Sequence, residues 1–151
     1  GALFQRLPGL DRASLGIDPT LETNISVNGV DLIAGFFPDD LPPVAPFDVI
    51  TLLAVLEHFP AASYTALNHG CARFLKPGGR LLITVPSARV DSILAVLKCL
   101  RLIDGMSLEE HHGYDVDRTP EIFSGEAFRL LQRKTFQLGL NHLFVFERVG
   151  H

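Results

Sequence analysis

Apolar positions along this chain fall into two textures: short continuous runs, and longer stretches with apolar residues three and four apart. Phe47 to Leu53 is a continuous run of strand length. Such continuity predicts a central parallel strand covered on both faces. The run turns polar at Glu57-His58. Ala61 to Leu75 then changes to helical spacing, with Leu67, Cys71, Phe74 and Leu75 on one face. Pro60 suits its first turn, and Lys76-Pro77-Gly78-Gly79 is a stop signal. Leu81 to Val85 is a second continuous run. Arg89 to Ile103 is a second long helical pattern, with Val90, Ile93, Leu94, Leu97, Leu100 and Ile103 on one face.

Shorter elements fill the flanks. Ala2 to Leu7 reads as a helix ended by Pro8-Gly9, and Ala13 to Ile17 as a strand stopped by Asp18-Pro19. Residues 20–29 are polar and turn-like. Val30 to Ala34 is a strand closed by Gly35, and residues 36–46 are a proline-rich loop. Residues 105–121 form an acidic, histidine-bearing loop. Ser124 is an N-cap for a helix to about Gln132, with Ala127, Leu130 and Leu131 inward. Lys134 to Leu138 and Leu143 to Glu147 read as an antiparallel hairpin. The alternation of strand and helix predicts an α/β fold with right-handed crossovers, a mostly parallel sheet between helices, and a C-terminal antiparallel hairpin.

Composition narrows the function classes. The 151 residues suit one domain able to bury a core. The formal charge is -4 and no Lys/Arg run stands out, which argues against nucleic acid or an anionic membrane as partner. No apolar run reaches the ~20 residues of a membrane span, so the cytoplasm is the expected location. Cys71 and Cys99 fall on apolar helix faces and are expected to be reduced core residues. The spacing of histidines and acidic residues in the 105–121 loop matches no metal-ligand pattern, and no metal is expected.

In parallel sheets flanked by helices, ligands sit beyond the carboxyl ends of the strands. Here those ends carry Asp18, Gly35-Phe36, Leu53-Ala54 running to His58, and Val85-Pro86-Ser87. An acidic residue ending the second strand of such a sheet can accept both hydroxyls of a ribose in charge-assisted hydrogen bonds. Asp18 suits that role, and a plain Asp-Pro turn is the alternative.

Gly16-Ile17-Asp18-Pro19, the stretch from Phe47-Asp48-Val49-Ile50 to Leu56-Glu57-His58, and Phe74-Leu75-Lys76-Pro77-Gly78-Gly79-Arg80-Leu81 resemble, in order, three motifs of the class I S-adenosyl-L-methionine-dependent methyltransferases. The resemblance covers nearly the whole chain. It implies a Rossmann-like three-layer sandwich with a seven-stranded sheet, six strands of which lie in this sequence. It also implies that Gly1 is the last glycine of a cofactor-binding loop whose first strand and other glycines precede it, so residues 1–151 are read as a single domain, incomplete at the N-terminus. By the same resemblance Asp18 would hold the ribose, Pro19 and Thr20 would flank the adenine, and Phe36 would pack on the adenine ring where the family often has an acidic residue. Leu53 and Ala54 would pass beneath the methionine part of the cofactor.

The implied activity is methyl transfer to an oxygen, nitrogen or carbon of a small or lipid-linked metabolite. A general base matters where the acceptor is a hydroxyl or a protonated amine, and the candidates are His58, His111, His112 and Tyr114. The apolar helix from Arg89 to Ile103 packs on the sheet, forms a homodimer contact, or walls the acceptor site. Two other readings stay open: a nicotinamide-dependent Rossmann oxidoreductase, and a non-catalytic methyltransferase-like scaffold.

Overall fold

The computed structural model of the protein describes residues 14–87 and 114–150. The expected helices at 2–7 and 89–103, Gly1, Cys99, His111 and His112 lie outside the described residues. The chain divides into two compact units, Gly1–Ala45 and Pro46–His151.

The first unit contains a three-stranded sheet of order β1-β3-β2, formed by β1 (Leu15–Asp18), β2 (Ile25–Val27) and β3 (Val30–Ala34). β1 and β3 run parallel, with Asp18 opposite Ala34. β2 and β3 form a hairpin in which Val27 faces Val30. Its two turn residues, Asn28 and Gly29, both have positive φ (53° and 81°). That conformation suits Asn-Gly and matches the twist of the flanking strands. The polar stretch 20–29 therefore holds a strand that its composition conceals. Val30 and Leu32 are buried on one side of β3, as period-two alternation requires.

The second unit contains a four-stranded sheet of order β4-β5-β7-β6. Its strands are β4 (Phe47–Leu53), β5 (Leu75–Pro86), β6 (Phe128–Phe136) and β7 (Asn141–Arg148). β4 and β5 are parallel, whereas β5–β7 and β6–β7 are antiparallel. Between β4 and β5 the chain passes through 3-10 turns at Leu56–His58 and Ala61–Ser63 and then helix α1 (Tyr64–Phe74). Leu67, Gly70, Cys71 and Phe74 form the buried face of α1, the three-and-four spacing of an amphipathic helix. Burial also raises the Cys71 pKa, so this free cysteine is a protonated core thiol. A short helix, α2 (Thr119–Ile122), follows a 3-10 turn that Asp115 caps through the Asp117 N–H. The side chain of Asn68 in α1 donates to the Ile122 carbonyl at 2.6 Å and ties the two helices.

The core of this unit lies on one sheet face. Leu81, Ile83 and Val85 alternate inward on β5, and Phe144 and Phe146 oppose them on β7. The Phe123 ring packs 5.6 Å from that of Phe146 and edge-on to Phe128.

Three expectations are corrected. The segment expected to be a helix from Ser124 to Gln132 enters strand β6 at Phe128. The register slips between Leu130, opposite Phe146, and Gln132, opposite Val145. Leu131 is the extra residue of this bulge, and two adjacent leucines there imitate the helical spacing counted from Ala127. Next, the Lys76-Pro77-Gly78-Gly79 turn lies within the bounds of β5. Its Gly78 takes φ +77°, and a Cβ on Gly79 would lie 2.8 Å from the Lys76 carbonyl. Finally, the described strands form two mixed sheets, not one mostly parallel sheet. The long β6–β7 hairpin, joined to β5 by β7, supplies two of the three antiparallel pairings, and β2–β3 supplies the third. A mixed α/β fold remains.

Candidate functional site

In the first unit the carboxyl ends of β1 and β3 lie side by side. Asp18 closes β1, and its backbone carbonyl accepts the Gly35 N–H at 3.3 Å. The Asp18 carboxylate is exposed. Its Oδ1 accepts both the Thr20 N–H (2.9 Å) and the Thr20 hydroxyl (2.7 Å). Those two bonds favour the charged form and lower its pKa below the ordinary 3.8. Asp18 is thus a fully ionised acceptor, with both bonds gathered on one oxygen. Thr20, expected to flank an adenine, also orients this carboxylate, and Pro19 lies exposed between the two residues. Asn24 Oδ1 accepts the Ala34 N–H at 2.8 Å, which holds the end of β3. Phe36 follows after Gly35 and is 67% exposed.

In the second unit the candidate residues gather where β4 ends. Leu53 is exposed and pairs in parallel register with Thr84 of β5. Ala54 then turns the chain with φ +52°, a left-handed conformation that costs a residue with a Cβ roughly 1–2 kcal/mol. Thr84 holds it there. The Ala54 N–H meets the Thr84 carbonyl at 2.9 Å and its hydroxyl at 3.1 Å. Beyond it, fully buried Leu56 anchors the 3-10 turn that carries Glu57 and exposed His58.

Tyr114 donates to or accepts from the hydroxyl of fully buried Thr119 at 2.9 Å. Desolvation dominates its environment, and the nearby Tyr64 and Glu57 push the same way, so its pKa is raised to about 12. The phenol is neutral at physiological pH and can serve as a hydrogen-bond donor. Asp18, Pro19, Thr20 and Phe36 therefore gather at the ends of β1 and β3, and Leu53, Ala54 and His58 in a single turn. Gly1, His111 and His112 are outside the described residues. Thr84 escaped the sequence reading; the signal for it was a lone hydroxyl within an apolar strand. Asp40, at 2.8 Å from the Phe36 N–H, escaped it as well, because two aspartates in a proline-rich loop look like ordinary turn residues. Among the described residues no group of three or more His, Cys, Asp or Glu is arranged to hold a metal.

Residues 10–135 match the family described as "Methyltransferase domain". The ubiquinone biosynthesis O-methyltransferase of Xanthomonas oryzae pv. oryzae (strain PXO99A) is 27% identical over 111 residues, covering 71% of this chain and 42% of that protein. The chain thus spans less than half the length of that curated relative. An O-methyltransferase family 2 protein from Planctomyces limnophilus DSM 3776, solved in complex with apigenin, aligns with a TM-score of 0.54 at 26% identity, over 78% of this chain and 34% of its own. PH0226 protein from Pyrococcus horikoshii OT3 shares the fold with a TM-score of 0.63 at 13% identity, over 89% of this chain and 73% of its own. The ordered motifs, the mixed α/β fold and a family match over most of the sequence agree: this chain belongs to the class I S-adenosylmethionine-dependent methyltransferases.

Proposed function

We propose that this protein transfers a methyl group from S-adenosylmethionine to a hydroxyl oxygen of a small or lipid-linked metabolite. The observation that carries the cofactor half of this reading is the pairing at the ends of β1 and β3. An ionised carboxylate closes β1, and an exposed aromatic ring lies two residues beyond the end of its parallel neighbour β3. That pairing suits a nucleoside, whose vicinal sugar hydroxyls donate to a carboxylate while its base stacks on a ring. Oxygen is favoured as acceptor atom because the curated relative and the Planctomyces neighbour are both named as O-methyltransferases.

When bound, the cofactor supplies an already activated methyl group. The protein's task is then to position the acceptor, exclude water and remove one proton. In this reading Asp18 fixes the sugar and Phe36 the base. In the second unit the Leu53-Ala54 turn is held in place by Thr84. His58 takes the acceptor's proton, a role closed to Tyr114 because its phenol keeps its own proton at neutral pH.

Calorimetry with S-adenosylhomocysteine on the full-length protein tests the cofactor half. Wild type is expected to bind, and Asp18→Ala to bind at least about tenfold more weakly, since a charge-assisted pair of hydrogen bonds is lost. No heat of binding at near-millimolar ligand would leave the non-catalytic scaffold as the better reading. Undiminished affinity in Asp18→Ala would remove that residue from the site.

A further inference from the structure

The loop after β3 holds an exposed aromatic ring in a more constrained setting than a surface loop requires. Phe36 and Asp40 bond each other in both directions. The Phe36 N–H donates to Asp40 Oδ2 at 2.8 Å, and the Asp40 N–H donates to the Phe36 carbonyl at 2.9 Å. Gly35 makes this closure sterically feasible. Its φ is +152°, and a Cβ there would lie 2.5 Å from the Asp40 Cβ, inside any real contact distance. The far end of the loop is anchored by buried Leu41, whose N–H meets the Pro38 carbonyl at 3.3 Å. The near end is anchored to β1, through the Gly35 N–H and the Asp18 carbonyl.

None of this buries the Phe36 ring, which remains 67% exposed. The apolar surface that stays in water gains nothing for folding. An exposed ring fixed at its backbone from both sides is instead preorganised for a planar ligand, because the ordering cost is met before binding.

We infer that Gly35 and Asp40 form a clasp that fixes Phe36 as the stacking platform for the purine ring, so that Asp40 is a positioning residue acting through Phe36. This rests on the cofactor reading above. It assigns Asp40 a different task from a direct contact with the ligand: one carboxylate oxygen is already committed to the backbone of Phe36. It also gives Gly35 a specific requirement, since any side chain there collides with the clasp.

The test is a double-mutant cycle on the full-length protein, read by calorimetry with S-adenosylhomocysteine. Phe36→Ala is expected to weaken binding about tenfold, the scale of one aromatic–base stack. Asp40→Ala is expected to weaken it to a similar extent, and Asp40→Asn, which keeps an acceptor oxygen, to stay within about threefold of wild type. The double variant Phe36→Ala/Asp40→Ala is expected to bind no more than about threefold worse than Phe36→Ala alone, because Asp40 has nothing left to position. Additive losses of about a hundredfold would show that Asp40 meets the ligand directly and would overturn the clasp. Amide hydrogen exchange at Phe36 gives a readout free of ligand. Protection is expected to fall in Asp40→Ala and to persist in Asp40→Asn, and an unchanged Phe36 amide in Asp40→Ala would also overturn the inference. Failure of wild type to bind S-adenosylhomocysteine would instead overturn the cofactor reading, and is told apart by the exchange measurement.

Discussion

His58 and Tyr114 are both able in principle to remove a proton, and their surroundings separate them. The Tyr114 hydroxyl shares a hydrogen bond with buried Thr119, and desolvation raises its pKa to about 12. At neutral pH it is therefore almost wholly protonated and useful as a donor. His58 is exposed on the 3-10 turn that follows β4, where its imidazole is open to an acceptor and its ring nitrogens can take a proton. His58→Ala is expected to lower kcat by about 10²–10⁴-fold, the usual contribution of a general base, while S-adenosylhomocysteine affinity stays within about twofold. Steady-state kinetics beside calorimetry checks the split, and retained turnover would make His58 a structural residue of the turn. Such residues are legible in sequence because their side-chain chemistry is itself the signal. Asp18 and Phe36 stood out the same way, by following short apolar runs. Thr84 and Asp40 did not, since each acts on the backbone of another residue that only the folded chain brings near.

Elements were legible where one period dominates. Short apolar runs gave the positions of β3, β4 and the core of β5, and three-and-four spacing gave α1. The expectation that β4 is a central strand covered on both faces is corrected, since β4 is the outer strand of its four-stranded sheet and only Leu52 in it is buried. Reading failed where a local irregularity copied another period. Leu130-Leu131 looked helical because a β-bulge places two leucines in succession. The Asn28-Gly29 hairpin went unread because β2 is only three residues long and largely exposed. The turn after β4 is a third irregularity, and it stores strain. Ala54 sits at φ +52° between exposed Leu53 and Val55, with its N–H held by both oxygens of Thr84. Ala54→Gly removes the Cβ that makes this conformation costly, against a smaller loss of chain entropy in the unfolded state. It is expected to raise stability by about 0.5–1 kcal/mol. Denaturant unfolding measures this, and a destabilised Ala54→Gly would mean that Thr84 does not impose a strained turn. Strain retained at a non-glycine position where a site is proposed is the pattern expected of a preorganised turn.

Among the described residues, three ionisable groups are shifted downward. The Asp18 carboxyl is lowered by its bonds from Thr20. Glu147 is lowered by hydrogen bonds from Arg80 and Arg129, which flank it across β5, β7 and β6. His142 on β7 is lowered chiefly by desolvation, then by the Arg133 cation, with Asp117 opposing. Arg133 and Asp117 are themselves paired at 2.6 Å, and among the described residues the buried His142 Nδ1 has no hydrogen-bond partner. A depressed pKa means that the unfolded chain binds more protons than the folded one between the two values, so stability rises with pH across that window. For His142 the full contribution is present above its ordinary 6.5 and is lost as pH falls through the lower folded value. For Glu147 and Asp18 the loss begins near 4.5 and 3.8. The melting temperature should therefore fall in two stages on acidification, a shallow limb below about pH 6.5 and a second near about pH 4. His142→Phe extends the ring stack with Phe144 and has no proton to gain. It is expected to flatten the upper limb and leave the lower one unchanged, as thermal melts across this range would record. An upper limb that persists in His142→Phe would assign it to another group. Because the stack lies on the same sheet face as buried Phe144 and Phe146, the effect would report on the core beneath β7 while leaving the proposed cofactor residues at β1 and β3 untouched. S-adenosylhomocysteine affinity at neutral pH is accordingly expected to be the same in His142→Phe as in wild type.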